Sequence, residues 1–332
     1  MVSEFKIARI PNIYFGVGKI KLLPGLLKQY KGKVLFVISE SMAAYSSQVR
    51  QVESITSLSG IDIELVYSHG EPSANSIDEI VNSYRNKNIG VVCGIGGGST
   101  IDTAKAISAM LKEKDSIEHY LEGIGSKTVS GSRVNLIAVP TTAGTGSEAT
   151  KNAVISKIGI AGYKRSLRHD NYIPDIAIID PELSLSCPAK ITASSGMDAF
   201  TQLLESFISS NSNPFTDALA MKGLTAIKDS LLTSYFEETN ISAHSDMAFA
   251  AMVSGITLAN AGLGLVHGFA ASIAGYFEIP HGIICGTLLA EVYKAKYRYS
   301  TPDKNGLILS IKAVRLPPPM RNNYFQFMDY IG

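Results

Sequence analysis

Cysteine is scarce in this sequence, and the three present, Cys93, Cys187 and Cys285, lie far apart. They form no CxxC pair and make an odd set, so neither a disulfide framework nor a cysteine zinc site is signalled, and a reducing cytoplasm is the expected home. An excess of charge is lacking too. The 30 Lys and Arg offset 29 Asp and Glu to a net charge of +1, and the basic residues are scattered rather than striped. That argues against nucleic acid as the main partner. No apolar run reaches the roughly 18 residues of a membrane span, and MVSEFKIARIPNIYFG lacks a basic segment followed by an apolar stretch. Neither a membrane anchor nor export by that route is expected. What is present, 45% hydrophobic and 18% charged residues in a chain of 332, suffices for a substantial core divided between two domains.

Short β-branched runs alternate with helical patterns in the first half: Lys33 to Ser39, Ile61 to Val66, Ile89 to Ile95 and Val134 to Val139. This alternation predicts βαβ units around a parallel sheet. Ser76 to Arg85, after the turn Gly70-Glu71-Pro72-Ser73, carries helical spacing with a polar start. Beyond Asp180-Pro181 the stretches Ile191 to Ser210, Phe215 to Phe236 and Ser245 to Phe277 are apolar over helix lengths, so the second half should be helical. The turn-prone stretch Ile173 to Pro188 separates the two regimes, giving domains 1–181 and 182–332. After about Tyr293, YKAKYRYSTPDKNG and RLPPPMRNNYFQF interrupt any long helix.

Two loops attract attention because each follows a strand. Ile89 to Ile95 runs into Gly96-Gly97-Gly98-Ser99-Thr100 and then a helix-forming TIDTAKAISAM. Glycine amides and the positive end of a helix form an anion site suited to a pyrophosphate. Ser99 or Thr100 could equally cap that helix, with Asp102 favouring its first turn. The spacing is not GxGxxG, so the standard dinucleotide fingerprint is absent. Val134 to Val139 ends in Pro140-Thr141-Thr142-Ala143-Gly144-Thr145-Gly146-Ser147-Glu148, a row of hydroxyls and glycines. Both loops should open at the carboxyl edge of the sheet, where open α/β folds bind ligands.

Six histidines are present. His267 in GLGLVHGFA and His281 in IPHGIICG sit in apolar, small-residue surroundings, where an imidazole needs a partner. His69, His119, His169 and His244 lie in polar stretches and are expected at the surface. In TASSGMDAFTQLLESF, Asp198 and Gln202 stand at i and i+4, on one helix face. Either histidine alone reads more readily as a satisfied core residue than as a ligand.

GGGSTIDTAKA, PTTAGTGSEAT, IPDIAIIDPEL, GMDAFTQLLES and GLGLVHGFAASIAGYFEIPHG, in this order, resemble the iron-containing (group III) alcohol dehydrogenase family from roughly Phe15 to Val292. The resemblance implies an α/β dinucleotide-binding domain with a parallel sheet followed by an all-α domain, the dehydroquinate synthase-like fold, with the active site in the cleft between them. It implies that Gly97, Gly98 and Ser99 hold a nicotinamide cofactor's pyrophosphate. Asp102, Thr141, Thr142, Thr145, Ser147 and Lys164 would line the rest of that site, with Glu40 at the adenosine ribose. A carboxylate there repels a 2′-phosphate and so favours NAD over NADP, although Glu40 reads equally well as the start of a helix.

The family's metal ligands match Asp198, His267 and His281, but Gln202 stands where the family has a histidine. A glutamine carbonyl is a poorer ligand than imidazole for Fe(II) or Zn(II). Ala271 replaces a histidine the family often carries as a proton-relay candidate, and the chain after Val292 is shorter than the family pattern. The expected function is metal-dependent hydride transfer between the cofactor and a small alcohol or aldehyde, in a homodimer. Two alternatives are a cofactor-binding member with a weakened or lost metal site, and a dehydroquinate synthase-like lyase.

Overall fold

The computed structural model describes residues 4–40 and 60–299, with side chains as far as Lys294. Six strands form one parallel sheet in the order β1-β8-β5-β4-β2-β3. They are β1 (Asn12–Phe15), β2 (Lys33–Ser39), β3 (Ile63–Ser68), β4 (Ile89–Gly96), β5 (Asn135–Pro140) and β8 (Ile176–Ile179). β6 (Asn152–Lys157) and β7 (Tyr163–Arg168) form a separate antiparallel hairpin.

The central strands are apolar over their length because both faces are covered. Val34, Phe36 and Ile38 of β2 pack on one face with Leu23 and Leu27 of helix α1 (Leu23–Leu27). Leu35 and Val37 point to the other face, against helices α2 (Ala74–Tyr84) and α3 (Gly98–Met110). Helix α2 begins two residues before the sequence pattern suggested, because Ser73 and Ser76 form a reciprocal capping box. In α3, Ile101, Ile107 and Met110 are fully buried. Each contributes about 1.5–3 kcal/mol of transfer free energy.

From β2 the chain passes to β3 on one side, then returns to β4 on the other. The sheet therefore reverses direction between β2 and β4, and the crevice beyond their carboxyl ends is the ligand position of a doubly wound sheet. Glu40 follows β2 and the glycine loop follows β4, so both flank that crevice.

The second half is helical: α4 (Ala189–Ile208), α5 (Pro214–Phe236), α6 (Ile241–Ala261), α7 (Leu265–Tyr276) and α8 (His281–Tyr299). The single apolar stretch from Ser245 to Phe277 is two helices bent by 101°, because Gly262 adopts a positive φ that ends α6. No single described helix is long and apolar enough to cross a membrane. Helix α8 runs on to Tyr299, six residues past the point where the sequence pattern weakens. The remainder of the tail lies outside the described residues.

Four strands escape the sequence pattern. β1 is four residues at the sheet edge, and β8 hides inside the Pro-flanked Ile173 to Pro188, read above as turns. All four residues of β8 are buried, so it shows no alternation. The β6–β7 hairpin is mostly polar on its open face.

Candidate metal centre and cofactor cradle

The two loops at the sheet edge are packed against each other with almost no side-chain padding. A Cβ on Gly98 would meet Thr145 Cγ2 at 2.5 Å, and one on Gly97 would meet Thr142 Oγ1 at 3.3 Å. The Thr141 amide donates to the Gly96 carbonyl at 3.0 Å. Helix α3 follows Gly97 with no side-chain cap, contrary to the capping role suggested for Ser99 or Thr100, because Thr100 Oγ1 pairs instead with Ser68 Oγ at 2.8 Å. Its first amides are thus free for an anion. Thr141 Oγ1 is buried without a hydrogen-bond partner among the described residues. An uncapped helix start, a glycine cradle and an orphaned hydroxyl fit a dinucleotide.

Behind this cradle, Asp102 accepts hydrogen bonds from Ser147 Oγ and, at 2.9 Å, from the Val154 amide. Lys105 is fully buried and its Nζ donates to Ser147 O (2.9 Å), Ser147 Oγ (3.2 Å), Thr150 Oγ1 (2.9 Å) and Asn152 O (2.7 Å). These bonds fix the threonine loop from beneath. Burial pulls the Lys105 ammonium down to about 8, against the attraction of Asp102 and Glu148. Burial also raises the Asp102 carboxyl, with Lys105 and Ser147 opposing. Glu40 is exposed and paired with His69 at 2.6 Å, and Lys164 pairs with Glu71.

The metal candidates come from three helices. Asp198 is on α4, His267 in the first turn of α7 and His281 at the start of α8. His267 Nε2 lies 3.3 Å from Asp198 Oδ1, and His281 Nε2 lies 3.9 Å from the same oxygen. Tetrahedral bonds of 2.0–2.2 Å put ligand atoms about 3.3–3.6 Å apart, so a divalent ion fits with small adjustments. Cys285, a turn beyond His281, joins them: one donor atom from each of Asp198, His267, His281 and Cys285 lies within 4.8 Å of every other. This cysteine is a correction to the sequence reading, which saw no cysteine at a metal site.

Glu205 also went unnoticed there. Its Oε2 is 2.6 Å from His267 Nδ1, while Oε1 accepts the Val266 amide at 2.8 Å, and the carboxylate thereby sits at the N-terminus of α7. Such a partner fixes the tautomer that leaves Nε2 free to bind a metal. Burial disfavours charge at Asp198 and Glu205, yet the hydrogen bonds and positive field from His267 hold both carboxyls below their ordinary range. Burial opposes the charging of His267 as well, but Asp198, Cys285 and Glu205 hold its pKa well above the usual value. At His281 burial prevails and lowers it, and its Nδ1 has no partner among the described residues.

Gln202 is adjacent but turned. Its Nε2 donates to Asp198 Oδ2 at 3.3 Å, and its Oε1 accepts from Ser254 Oγ at 2.8 Å. The opposite amide orientation would set Oε1 against the carboxylate, acceptor to acceptor. His244, expected at the surface, is 3% exposed and bonded to Ser184 at 2.9 Å. Its polar neighbours in sequence gave no hint that α6 turns it inward. A cavity of about 880 Å³ opens between the β6–β7 hairpin and the α7–α8 connection, lined by His69, Glu71, Ser156, Tyr163, Phe277 and Pro280; it reaches the residue before His281, but none of the four donor residues lines it.

Residues 11–181 match the family model for iron-containing alcohol dehydrogenase, and residues 192–313 match the C-terminal model of the Fe-containing alcohol dehydrogenase family. This chain belongs to the iron-containing alcohol dehydrogenase family. Long-chain-alcohol dehydrogenase 1 of Geobacillus thermodenitrificans is 33% identical over 88% of this chain and 73% of its own length. NAD-dependent methanol dehydrogenase of Bacillus methanolicus is 31% identical over 82% and 71%. The crystal structure of sulfoacetaldehyde reductase from Bifidobacterium kashiwanohense in complex with NAD+ superposes with a TM-score of 0.81 at 26% identity, covering 92% of this chain and 79% of that one. Membership makes the chain an oxidoreductase of the alcohol dehydrogenase and aldehyde reductase class, with the α/β and helical halves of that fold.

Proposed function

We propose that this chain transfers a hydride between NAD and a small alcohol or aldehyde, at a divalent metal held in the cleft between its α/β part, residues 1–181, and its helical part. The observation carrying the proposal is that Asp198, His267 and His281, scattered over 84 positions of sequence, bring donor atoms within 4.8 Å of one another. When bound, the ion supplies Lewis acidity and the nicotinamide exchanges the hydride. The protein's own task is placement. Asp198, His267 and His281 hold the ion, and Glu205 orients the His267 ring. Gly97, Gly98 and Ser99 hold the pyrophosphate, while Thr141, Thr142 and Thr145 border the cofactor. Asp102, Lys105 and Ser147 keep that loop in place.

Glu40, at the end of β2, favours NAD over NADP by repelling a 2′-phosphate. Its contact with His69 leaves that carboxylate partly engaged. The working unit we propose is a cytoplasmic homodimer, for which sedimentation of the purified protein is the check. The function is tested by metal analysis alongside oxidation of NADH and NADPH with short aldehydes, with added Fe(II) or Zn(II). About one metal per chain and metal-dependent turnover, faster with NADH, is the expected result. Nicotinamide binding with neither metal nor turnover would overturn the reading and leave a cofactor-binding protein.

A further inference from the structure

The loss of the helical histidine at Gln202 has a counterpart elsewhere in the site. In α4, Asp198 and Gln202 stand one turn apart, and in α8 His281 and Cys285 do the same, so each pair presents two side chains to one point. Gln202 turns its NH₂ toward Asp198 and its carbonyl oxygen toward Ser254, so its oxygen is directed at Ser254 rather than at the carboxylate. Cys285 is fully buried, and its sulfur belongs to the same cluster of donor atoms as Asp198, His267 and His281. The Cys285 thiol has no competing role in a disulfide, since Cys285 is a free cysteine.

We propose that Cys285 is the fourth metal ligand of this chain, replacing the imidazole that Gln202 removed, so that the centre is one carboxylate, two imidazoles and one thiolate. The inference rests on the metal reading of the preceding section and adds the identity of one donor. A sulfur donor at about 2.3 Å and nitrogen or oxygen donors at about 2.1 Å stand some 3.6 Å apart in a tetrahedron. The cluster, with donors within 4.8 Å, must close by about an ångström at its widest to reach that spacing. On binding, the divalent ion displaces the Sγ proton, which leaves to solvent. The donor charge becomes −2 in place of the −1 of a carboxylate with three neutral imidazoles. A soft thiolate favours Zn(II) over Fe(II), Mn(II) or Mg(II). Of the two ions considered above, the proposed centre therefore suits Zn(II) better.

The test uses the full chain, cleared of metal and titrated anaerobically with Co(II), whose thiolate complexes absorb strongly in the near ultraviolet. The expected result is a sulfur-to-cobalt charge-transfer band that saturates at about one equivalent and disappears on zinc addition. Cys285→Ser should remove the band and weaken Zn(II) binding more than about 100-fold, whereas Gln202→Ala, which loses only a partner of Asp198, should weaken it about 10–100-fold with the band intact. The double variant Cys285→Ser/Gln202→His should recover tight binding without the band, and that recovery guards against a general folding defect.

Co(II) bound at one equivalent with no thiolate band, or Cys285→Ser binding Zn(II) as tightly as the parent, would overturn the assignment and leave the three-ligand centre standing. Failure of the parent chain to bind Co(II) or Zn(II) at all would instead sink the metal reading on which this one rests.

Discussion

Replacing Glu205 by glutamine tests whether a single buried carboxylate prepares His267 for metal. The Glu205 side chain is 1% exposed and faces three donors: the His267 ring at 2.6 Å, the Val266 amide at 2.8 Å and the His267 amide at 3.4 Å. A glutamine keeps one acceptor and introduces an NH₂ group. If the NH₂ faces Nδ1, the ring must carry its proton on Nε2, the nitrogen nearest Asp198, and that lone pair is lost to any ion. If it faces the first turn of α7, donor meets donor there. Either outcome strands a buried group at about 1–3 kcal/mol. Partners of metal-bound histidines typically contribute 10–100-fold in affinity, which converts to about 1.4–2.7 kcal/mol. The two magnitudes agree. Competition for Zn(II) against a chromophoric chelator should therefore show Glu205→Gln binding about 10–100-fold more weakly, with melting lowered by a few degrees. An unchanged affinity together with an unchanged melting temperature would refute this role for Glu205.

Three further perturbations separate the cofactor cradle from the metal centre. Gly98→Ala places a methyl 2.5 Å from Thr145, so nicotinamide affinity measured by fluorescence titration should fall at least about 10-fold while metal content is retained; equal loss of both would contradict the separation. Lys105→Met leaves the buried Asp102 carboxylate without its cation and should cost about 3–5 kcal/mol in urea unfolding, and a loss under about 1 kcal/mol would be incompatible with the four bonds described. Burial raises the Glu148 carboxyl from 4.5 to about 7, against the pull of Lys105. The folded protein then binds more protons than the unfolded chain within that window, so this group's contribution to stability falls as pH rises through it. Melting curves of Glu148→Gln should lack that decline, and an identical pH profile in the variant would count against it.

The sequence revealed the sheet's central strands because β2, β4 and β5 are apolar and β-branched, and β4 and β5 run into glycine and hydroxyl loops. It concealed β8, since four uniformly buried residues between prolines carry no period. The metal centre was legible only through the family resemblance, because no periodicity connects Asp198 with a histidine 69 positions away. Two members were nonetheless within reach of helical arithmetic. Asp198, Gln202 and Glu205 follow the i, i+4, i+7 rule on one face, and Cys285 is one turn after His281. What no pattern supplies is the direction of an amide: Gln202 reads as a weak ligand in sequence and as a hydrogen-bond partner in the structure.

The contact between Gly146 and Gly255 carries a mechanical consequence. Gly146, at a φ of 61°, ends the threonine loop, and Gly255 lies in the middle of α6, where an added Cβ would overlap the Gly146 carbonyl oxygen. Bare backbone meets bare backbone, and interiors of that kind are stiff. With Gly98 closing on Thr145 from the other side, the loop is clamped like a shim between the start of α3 and the flank of α6. A tilt of the helical half cannot be absorbed by a rotating side chain at this point. Under the proposed cofactor placement it would shift the threonine loop itself, so the grip on the cofactor would follow the posture of α6 and the helices packed on it.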